Sequence, residues 1–115
     1  MKAYTDIEQS KKLAEILPVE SADMFYRNNG IDVKLMWEHN AHNVKYPCWS
    51  LAALLNILNN RAYSINEDAI VSLSSYKTVE WDLSISNSGL YMITKSDPID
   101  ACVEMIVKLK EKDLL

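Results

Sequence analysis

The segment YPCWSLAALLNILNN, residues Tyr46 to Asn60, is the most apolar part of the chain. Its leucines stand at positions 51, 54, 55 and 58, a spacing that places apolar side chains on one face of an α-helix. Trp49 and several small or mildly polar residues take the opposite face. We therefore predict a central helix over residues 48–59, onto which the segments on both sides pack.

The composition is that of one globular domain. The chain has 115 residues, of which 49% are hydrophobic and 24% are charged. A chain of this length buries roughly two-thirds of its unfolded surface and is too short to form a second core. We expect a single α+β domain over residues 1–115.

The charge balance argues against nucleic-acid and membrane partners. Twelve basic and sixteen acidic residues give a net charge of −4, and no stripe of Lys or Arg suits a phosphate backbone. Contact through Lys11, Lys12 and Arg27 stays open as an alternative. The N-terminus lacks an apolar signal core, and the longest apolar run, Leu51 to Leu55, is far shorter than a membrane span. We expect a cytoplasmic protein with no membrane or nucleic-acid partner.

Two further helices are predicted near the ends of the chain. The stretch Thr5-Asp6-Ile7-Glu8 has the capping-box form, so the first helix should cover residues 6–17. Asp97 as cap and Pro98 at the first helical position predict a last helix that continues to about residue 112.

A hairpin is predicted between the first and central helices. Asn29-Gly30 supplies the positive φ angles of a two-residue type I′ turn. Counting outward from this turn keeps apolar pairs on one face and charged residues on the other. The predicted pairs are Arg27 with Asp32, Tyr26 with Val33, Phe25 with Lys34, and Met24 with Leu35.

The second half of the chain predicts further strands. Val79, Trp81, Leu83 and Ile85 alternate with polar residues, which indicates a half-buried strand that faces the central helix. A turn at Asn87-Ser88-Gly89 leads to a strand over residues 90–94, which places Leu83 and Ile85 opposite Ile93 and Tyr91. Residues 69–74 favour a strand, although the capping-box form of residues 64–67 allows a short helix instead.

These elements give the order α-β-β-α-β-β-β-α. We predict an antiparallel sheet of four to five strands with three helices on one face. Phe25, with Met36 and Met92, would then lie on the uncovered face, where apolar residues can serve in association.

Cys48 is the residue that most invites a catalytic interpretation. A cysteine at a helix start resembles the nucleophile of papain-type proteases, in which a histidine acts as base. Here His39 and His42 precede Cys48 by nine and six residues, and no histidine follows it. We interpret Cys48 as a buried thiol and expect no catalytic residues. We also expect Cys48 and Cys102 to stay reduced, without a disulfide.

No cofactor or metal site is expected elsewhere. Glu38, His39, His42 and Cys48 lack the spacing of a structural zinc site. Glu80 and Asp82 fit the polar face of a strand, and Asp97 and Asp100 fit the start of a helix. The only glycines, Gly30 and Gly89, both belong to predicted turns, so the chain has no glycine-rich phosphate loop.

Three segments carry a resemblance to a known group of proteins. They are AYTDIEQSKKLAEILPVESADM (residues 3–24), YPCWSLAALLNIL (46–58) and DPIDACVEMIVKLKEKDLL (97–115). These segments resemble short uncharacterised proteins from gut bacterial genomes and their prophage-like regions. The resemblance implies a bacterial cytoplasmic protein of phage derivation and brings no known activity or functional residue. Residues 25–45 and 61–96 look variable by comparison.

Two functions remain after these exclusions. The first is a non-enzymatic protein-binding or accessory module, whose partner is another protein or a second copy of the chain. The second is a cysteine- or metal-dependent site built on Cys48 with His39 or His42.

Overall fold

A computed structural model describes residues 1–27, 30–33, 46–76, 80–86 and 91–115. Its elements in chain order are α1 (Ile7–Ala14), a 3-10 turn (Val19–Ser21), β1 (Met24–Arg27), β2 (Gly30–Val33), β3 (Tyr46–Cys48), α2 (Leu51–Ile65), β4 (Ile70–Tyr76), β5 (Glu80–Ser86), β6 (Tyr91–Lys95) and α3 (Pro98–Glu111).

The strands form two antiparallel sheets of three strands each. Their orders are β2-β1-β3 and β4-β5-β6. The α+β class with three α-helices is confirmed, but the single sheet of four to five strands is wrong. The reason is β3, which the sequence assigned to the start of a helix. It pairs with β1 and completes a separate sheet around the hairpin.

The predicted central helix is displaced along the sequence. It was expected over residues 48–59, and α2 covers Leu51–Ile65. Ser50 is its N-cap, and the hydroxyl oxygen of Ser50 accepts from the backbone N–H of Ala53 at 3.2 Å. The helix continues beyond its predicted end at residue 59, because buried Ala62 extends the stripe of Leu54 and Leu58 by one more turn.

The hairpin has a different register from the predicted one. Arg27 lies opposite Gly30 rather than Asp32, and Phe25 lies opposite Asp32 rather than Lys34. The predicted turn at residues 29–30 therefore moves, and residues 28–29 lie outside the described part. The shift is two residues, an even number, so it preserves the alternation of residues along the strands and the apolar pattern alone does not distinguish the two registers.

The second sheet agrees more closely with the sequence. Residues 70–76 form a strand, which decides between the two interpretations of residues 69–74. Leu83 and Ile85 are fully buried and lie opposite Ile93 and Tyr91, as predicted. The helix against β5 is α3, however, whereas α2 lies against β4.

The predicted start of α3 is confirmed, whereas the capping box of α1 is made by other residues than predicted. The carboxylate of Asp97 caps α3 by accepting from the N–H of Ile99 at 2.9 Å. At α1 the capping box is made by Asp6 and Gln9 rather than by Thr5 and Glu8. The helix α3 supplies more of the core than any other helix, since it buries eight residues where α2 buries three.

Candidate functional site

Cys48 ends strand β3 instead of starting a helix, and its side chain is fully buried. Its thiol donates to the carbonyl oxygen of Thr5 at 3.5 Å and lies 3.7 Å from the hydroxyl of the same residue. Burial has the largest effect and raises the pKa of the Cys48 thiol, against the hydrogen bonds of Thr5, Ser10 and Tyr26, which lower it. A buried thiol that stays protonated is a poor nucleophile.

The polar groups around Cys48 belong to a structural cluster centred on Thr5. The Thr5 and Ser10 hydroxyls share a hydrogen bond of 2.8 Å, and the backbone N–H of Trp49 donates to Thr5 Oγ1 at 3.1 Å. The hydroxyl of Tyr26 donates to the Thr5 carbonyl oxygen at 2.6 Å. We refer to Thr5, Ser10, Tyr26, Cys48 and Trp49 as the Thr5 cluster. It fastens the N-terminal segment to β1 and β3.

Tyr26 is held in its protonated form by this environment. Burial has the largest effect and, together with the neighbouring Cys48 and Tyr4, raises the pKa of Tyr26 to about 12. A tyrosine of this kind remains a hydrogen-bond donor throughout the neutral range and does not act there as a base.

The start of α2 carries a second structural arrangement. The carboxylate of Asp23 accepts from the backbone N–H of Ser50 at 2.9 Å and also from its hydroxyl. The indole N–H of Trp49 donates to the hydroxyl of Ser21 at 3.0 Å. These bonds connect the residues before β1 to the first turn of α2, and they account for the hydroxyl of Ser50 without a catalytic role.

The histidines of the alternative site, His39 and His42, lie outside the described residues, as does Glu38. Among the residues that the structure does describe, no group of three His, Cys, Asp or Glu side chains is placed to hold a metal ion. The structure therefore brings Cys48 together with Thr5, Ser10 and Tyr26, and a pairing of Cys48 with either histidine stays a prediction. Cys48 and Cys102 are both free thiols.

The four acidic residues named from the sequence lie in two different places. Asp82 accepts from the hydroxyl of Thr94 at 2.7 Å on the outer face of the second sheet, and Glu80 is exposed. Asp97 accepts from the backbone N–H of Lys2 at 2.7 Å, and Asp100 accepts from the Lys2 ammonium at 2.7 Å. The second pair holds the N-terminal segment against the start of α3.

A groove of about 300 Å³ opens between the segment that follows α1, the second half of α2 and the end of α3. We call it the three-helix groove. We call its apolar lining residues the floor and its polar and basic lining residues the rim. The floor consists of Ile16, Leu17, Pro18, Ile57 and Leu115, and the rim of Ser21, Asn60, Arg61, Ser64 and Lys110.

Both charged side chains that line the three-helix groove are basic. Within the described part of the chain, Arg61 and Lys110 form no ion pair, and no Asp or Glu lines the groove. Two unpaired cations next to an apolar floor stand out in a chain whose net charge is −4. This arrangement suits a ligand that carries both an apolar group and negative charge.

Sequence reasoning missed this groove. Arg61 and Ser64 lie beyond the predicted end of the central helix at residue 59, and the remaining lining residues lie in three separate segments. One signal was present: Ile57, Asn60, Arg61 and Ser64 follow the i, i+3, i+4, i+7 spacing that places residues on one face of a helix.

Two other depressions are less suited to a charged ligand. The depression between β6 and α3, of about 550 Å³, contains Lys95 paired with Glu104 at 3.1 Å and further residues of both signs. The depression beside Met1, Tyr4 and Tyr26, of about 410 Å³, has Lys2 and Asp6 paired with each other at 3.1 Å.

The apolar patch predicted on the uncovered sheet face is not formed as expected. Phe25 is only 2% exposed and belongs to the interior. Met92 is 52% exposed, and Met36 lies outside the described residues. Phe25 therefore contributes to stability instead of to a binding surface.

None of the helices that the structure describes is long and apolar enough to cross a lipid bilayer. Comparison with protein-family models, with curated proteins and with solved structures finds no match to this chain.

Proposed function

We propose that this chain is a non-enzymatic protein-binding module of bacterial or phage origin that works in the cytoplasm and receives an acidic, leucine-like peptide segment in the three-helix groove. The observation that carries the proposal is the unpaired state of Arg61 and Lys110 beside the apolar floor.

The floor supplies the apolar half of the recognition. A volume of about 300 Å³ lies at the lower end for ligand pockets and suits one or two side chains rather than a cofactor. Ile16, Leu17 and Ile57 are aliphatic and partly or fully buried, so an aliphatic side chain placed on them loses its water on that side.

The rim supplies the charged half. The planar guanidinium of Arg61 suits a bidentate contact with a carboxylate, and Lys110 provides a second positive charge from α3. Asn60 and Ser64 lie exposed on the same face of α2, where their side chains can bond a peptide backbone. This combination favours a peptide over a free anion, because an anion alone would leave the floor unused.

The non-enzymatic part of the proposal is supported by Cys48. Its thiol is buried and hydrogen-bonded to Thr5, and burial raises the pKa of this thiol. Activated cysteines in enzymes are partly exposed and have lowered pKa values. The alternative function, built on Cys48 with His39 or His42, has no supporting geometry among the described residues.

The test is an NMR titration of the isotopically labelled chain with three synthetic peptides. The first combines Glu residues with one central Leu, the second replaces Glu with Lys, and the third replaces Leu with Ala. We expect the first peptide to shift the amide signals of residues 16, 17 and 57–64 and to bind at least about tenfold more tightly than the other two.

A pair of charge reversals completes the experiment. Arg61→Glu should abolish binding of the Glu-Leu peptide, whereas Lys12→Glu, an exposed residue of α1 that does not line the groove, should preserve it. Circular dichroism of both variants establishes that the fold is retained. Equal binding of the Lys peptide, or no signal shifts in the groove, would contradict the proposal.

A further inference from the structure

The two sheets expose four edge strands, and three of them carry features that discourage pairing with another chain. In the described part, β2, β3, β4 and β6 each pair on one side only. Strand β2 has four residues and includes Gly30 and Asp32. Strand β3 has three residues, and its Pro47 has no N–H to donate. Strand β6 ends in Lys95, which is paired with Glu104 of α3 at 3.1 Å.

The fourth edge, β4, has none of these features. Its sequence IVSLSSY contains no charged residue, no proline and no glycine. Its register with β5 continues without a bulge over all seven pairs, from Ile70 opposite Ser86 to Tyr76 opposite Glu80. Short length, charged residues, proline and bulges are the means by which edge strands avoid pairing with other chains. Among the described residues no strand pairs with the open side of β4, so its backbone donors and acceptors are available there for a further strand.

We propose that β4 is the edge through which two copies of this chain associate. The two β4 strands pair antiparallel about a two-fold axis. This pairing joins the β4-β5-β6 sheets of the two copies into one sheet of six strands. A seven-residue strand is roughly 24 Å long, which provides about seven backbone hydrogen bonds between the copies. This inference goes beyond the proposed function, because it concerns a surface separate from the three-helix groove.

A second copy fits this edge better than an unrelated strand. Two-fold symmetry brings the central residue of β4 next to its own counterpart and makes every other pair occur twice, so charges of one sign along the edge would be brought close together. The uncharged β4 avoids that repulsion, although the whole chain carries a charge of −4. It also offers no charge that would select a partner of opposite sign.

An exposed apolar side chain on the edge strand extends the contact. Ile70, the first residue of β4, is 59% exposed. In an antiparallel pair about a two-fold axis, the first residue of one strand lies near the last residue of the other, so Ile70 buries apolar area at both ends of the paired strands.

The test compares lysine substitutions at two residues that flank the same residue of β5 on the two neighbouring strands. Ser72 of β4 and Met92 of β6 both lie opposite Ser84 of β5, on the face of the sheet turned away from the helices. Sedimentation equilibrium from about 10 µM to about 1 mM should show the mass rising from 13.1 kDa toward twice that value. Ser72→Lys should weaken the association at least about tenfold, and Met92→Lys should leave it unchanged.

A mixture of isotopically labelled and unlabelled chains locates the interface directly. Intermolecular NOEs should connect residues 70–76 of one copy with residues 70–76 of the other. A mass of 13.1 kDa at every concentration, equal effects of the two lysines, or NOEs from another surface would each overturn the inference. Ser72→Lys should still bind the Glu-Leu peptide and Arg61→Glu should still dimerise, so the two proposals fail independently.

Discussion

The backbone N–H of Trp49 donates to the side-chain oxygen of Thr5 at 3.1 Å, across 44 positions of sequence. The reverse contact also exists, since the N–H of Thr5 donates to the carbonyl oxygen of Trp49 at 2.9 Å. Both residues are fully buried. Together they attach the segment before α1 to the residue that joins β3 to α2.

The hydroxyl of Thr5 is predicted to contribute strongly to stability. Thr5→Val keeps the shape of the side chain but leaves the N–H of Trp49 and the hydroxyl of Ser10 without this partner, which should cost about 1–3 kcal/mol. Urea unfolding measures the change. Thr94→Val removes an exposed bond to Asp82 and should cost less than about 0.5 kcal/mol. Equal losses in the two variants would contradict the role assigned to Thr5.

Phe25 is predicted to be a core residue. Because it is 2% exposed, Phe25→Ala should lower the free energy of unfolding by about 3–5 kcal/mol. Met92→Ala, at a position 52% exposed, should change it by less than about 0.5 kcal/mol. Thermal unfolding of both variants gives the comparison. A small loss for Phe25→Ala would return this residue to the surface patch predicted from the sequence.

Alkaline pH is predicted to destabilise the protein through its buried thiols and tyrosine. Burial, together with Asp97, raises the pKa of Cys102 to about 12, and the pKa of Tyr26 is also raised to about 12. An unfolded chain releases the thiol proton near its ordinary pKa of about 8.5, so the folded state holds more protons above that pH and its stability falls as the pH rises toward about 12.

Urea unfolding at a series of pH values measures this dependence. Cys102→Ala should reduce the loss of stability between about pH 8.5 and about pH 12, although it lowers stability at neutral pH by removing buried volume. An identical pH dependence in the variant and the parent protein would show that Cys102 does not contribute.

Asp97→Ala is predicted to lower the stability of the protein more than Lys2→Ala does. Asp97 is buried, caps α3 through the N–H of Ile99 and accepts from the N–H of Lys2, so Asp97→Ala should cost about 1–2 kcal/mol. Lys2→Ala removes partly exposed ion pairs with Asp6 and Asp100 and should cost about 0–1 kcal/mol. Only the Lys2 effect should diminish in high salt. A salt-sensitive loss at Asp97 would point to charge rather than capping.

Elements specified by local signals were predicted well. The alternation around Leu83 and Ile85 and the cap at Asp97 each depend on neighbouring residues, and both are confirmed. The opposition of Leu83 and Ile93 follows from the same pattern. Local patterning and tertiary packing agree at these positions, so the sequence is sufficient there.

Elements that depend on distant partners were not predicted. Pro47-Cys48 has the local form of a helix start. In the structure these residues form a strand instead, because they pair with Phe25 and Met24 of β1. The three-helix groove likewise combines residues from positions 16 to 115. Nothing in a local sequence pattern reports which segments will meet, and the hairpin register shows the same limit because a two-residue shift preserves the alternation.

The bond between Lys2 and Asp97 spans 95 positions, and α3 supplies more of the core than any other helix. On the ribosome Lys2 therefore emerges long before α3 and its cap Asp97. Most of the chain must be synthesised before this contact can form, and such long-range closure slows folding relative to domains with local contacts. During translation, leucines that α3 later encloses stay accessible to chaperones until α3 leaves the exit tunnel.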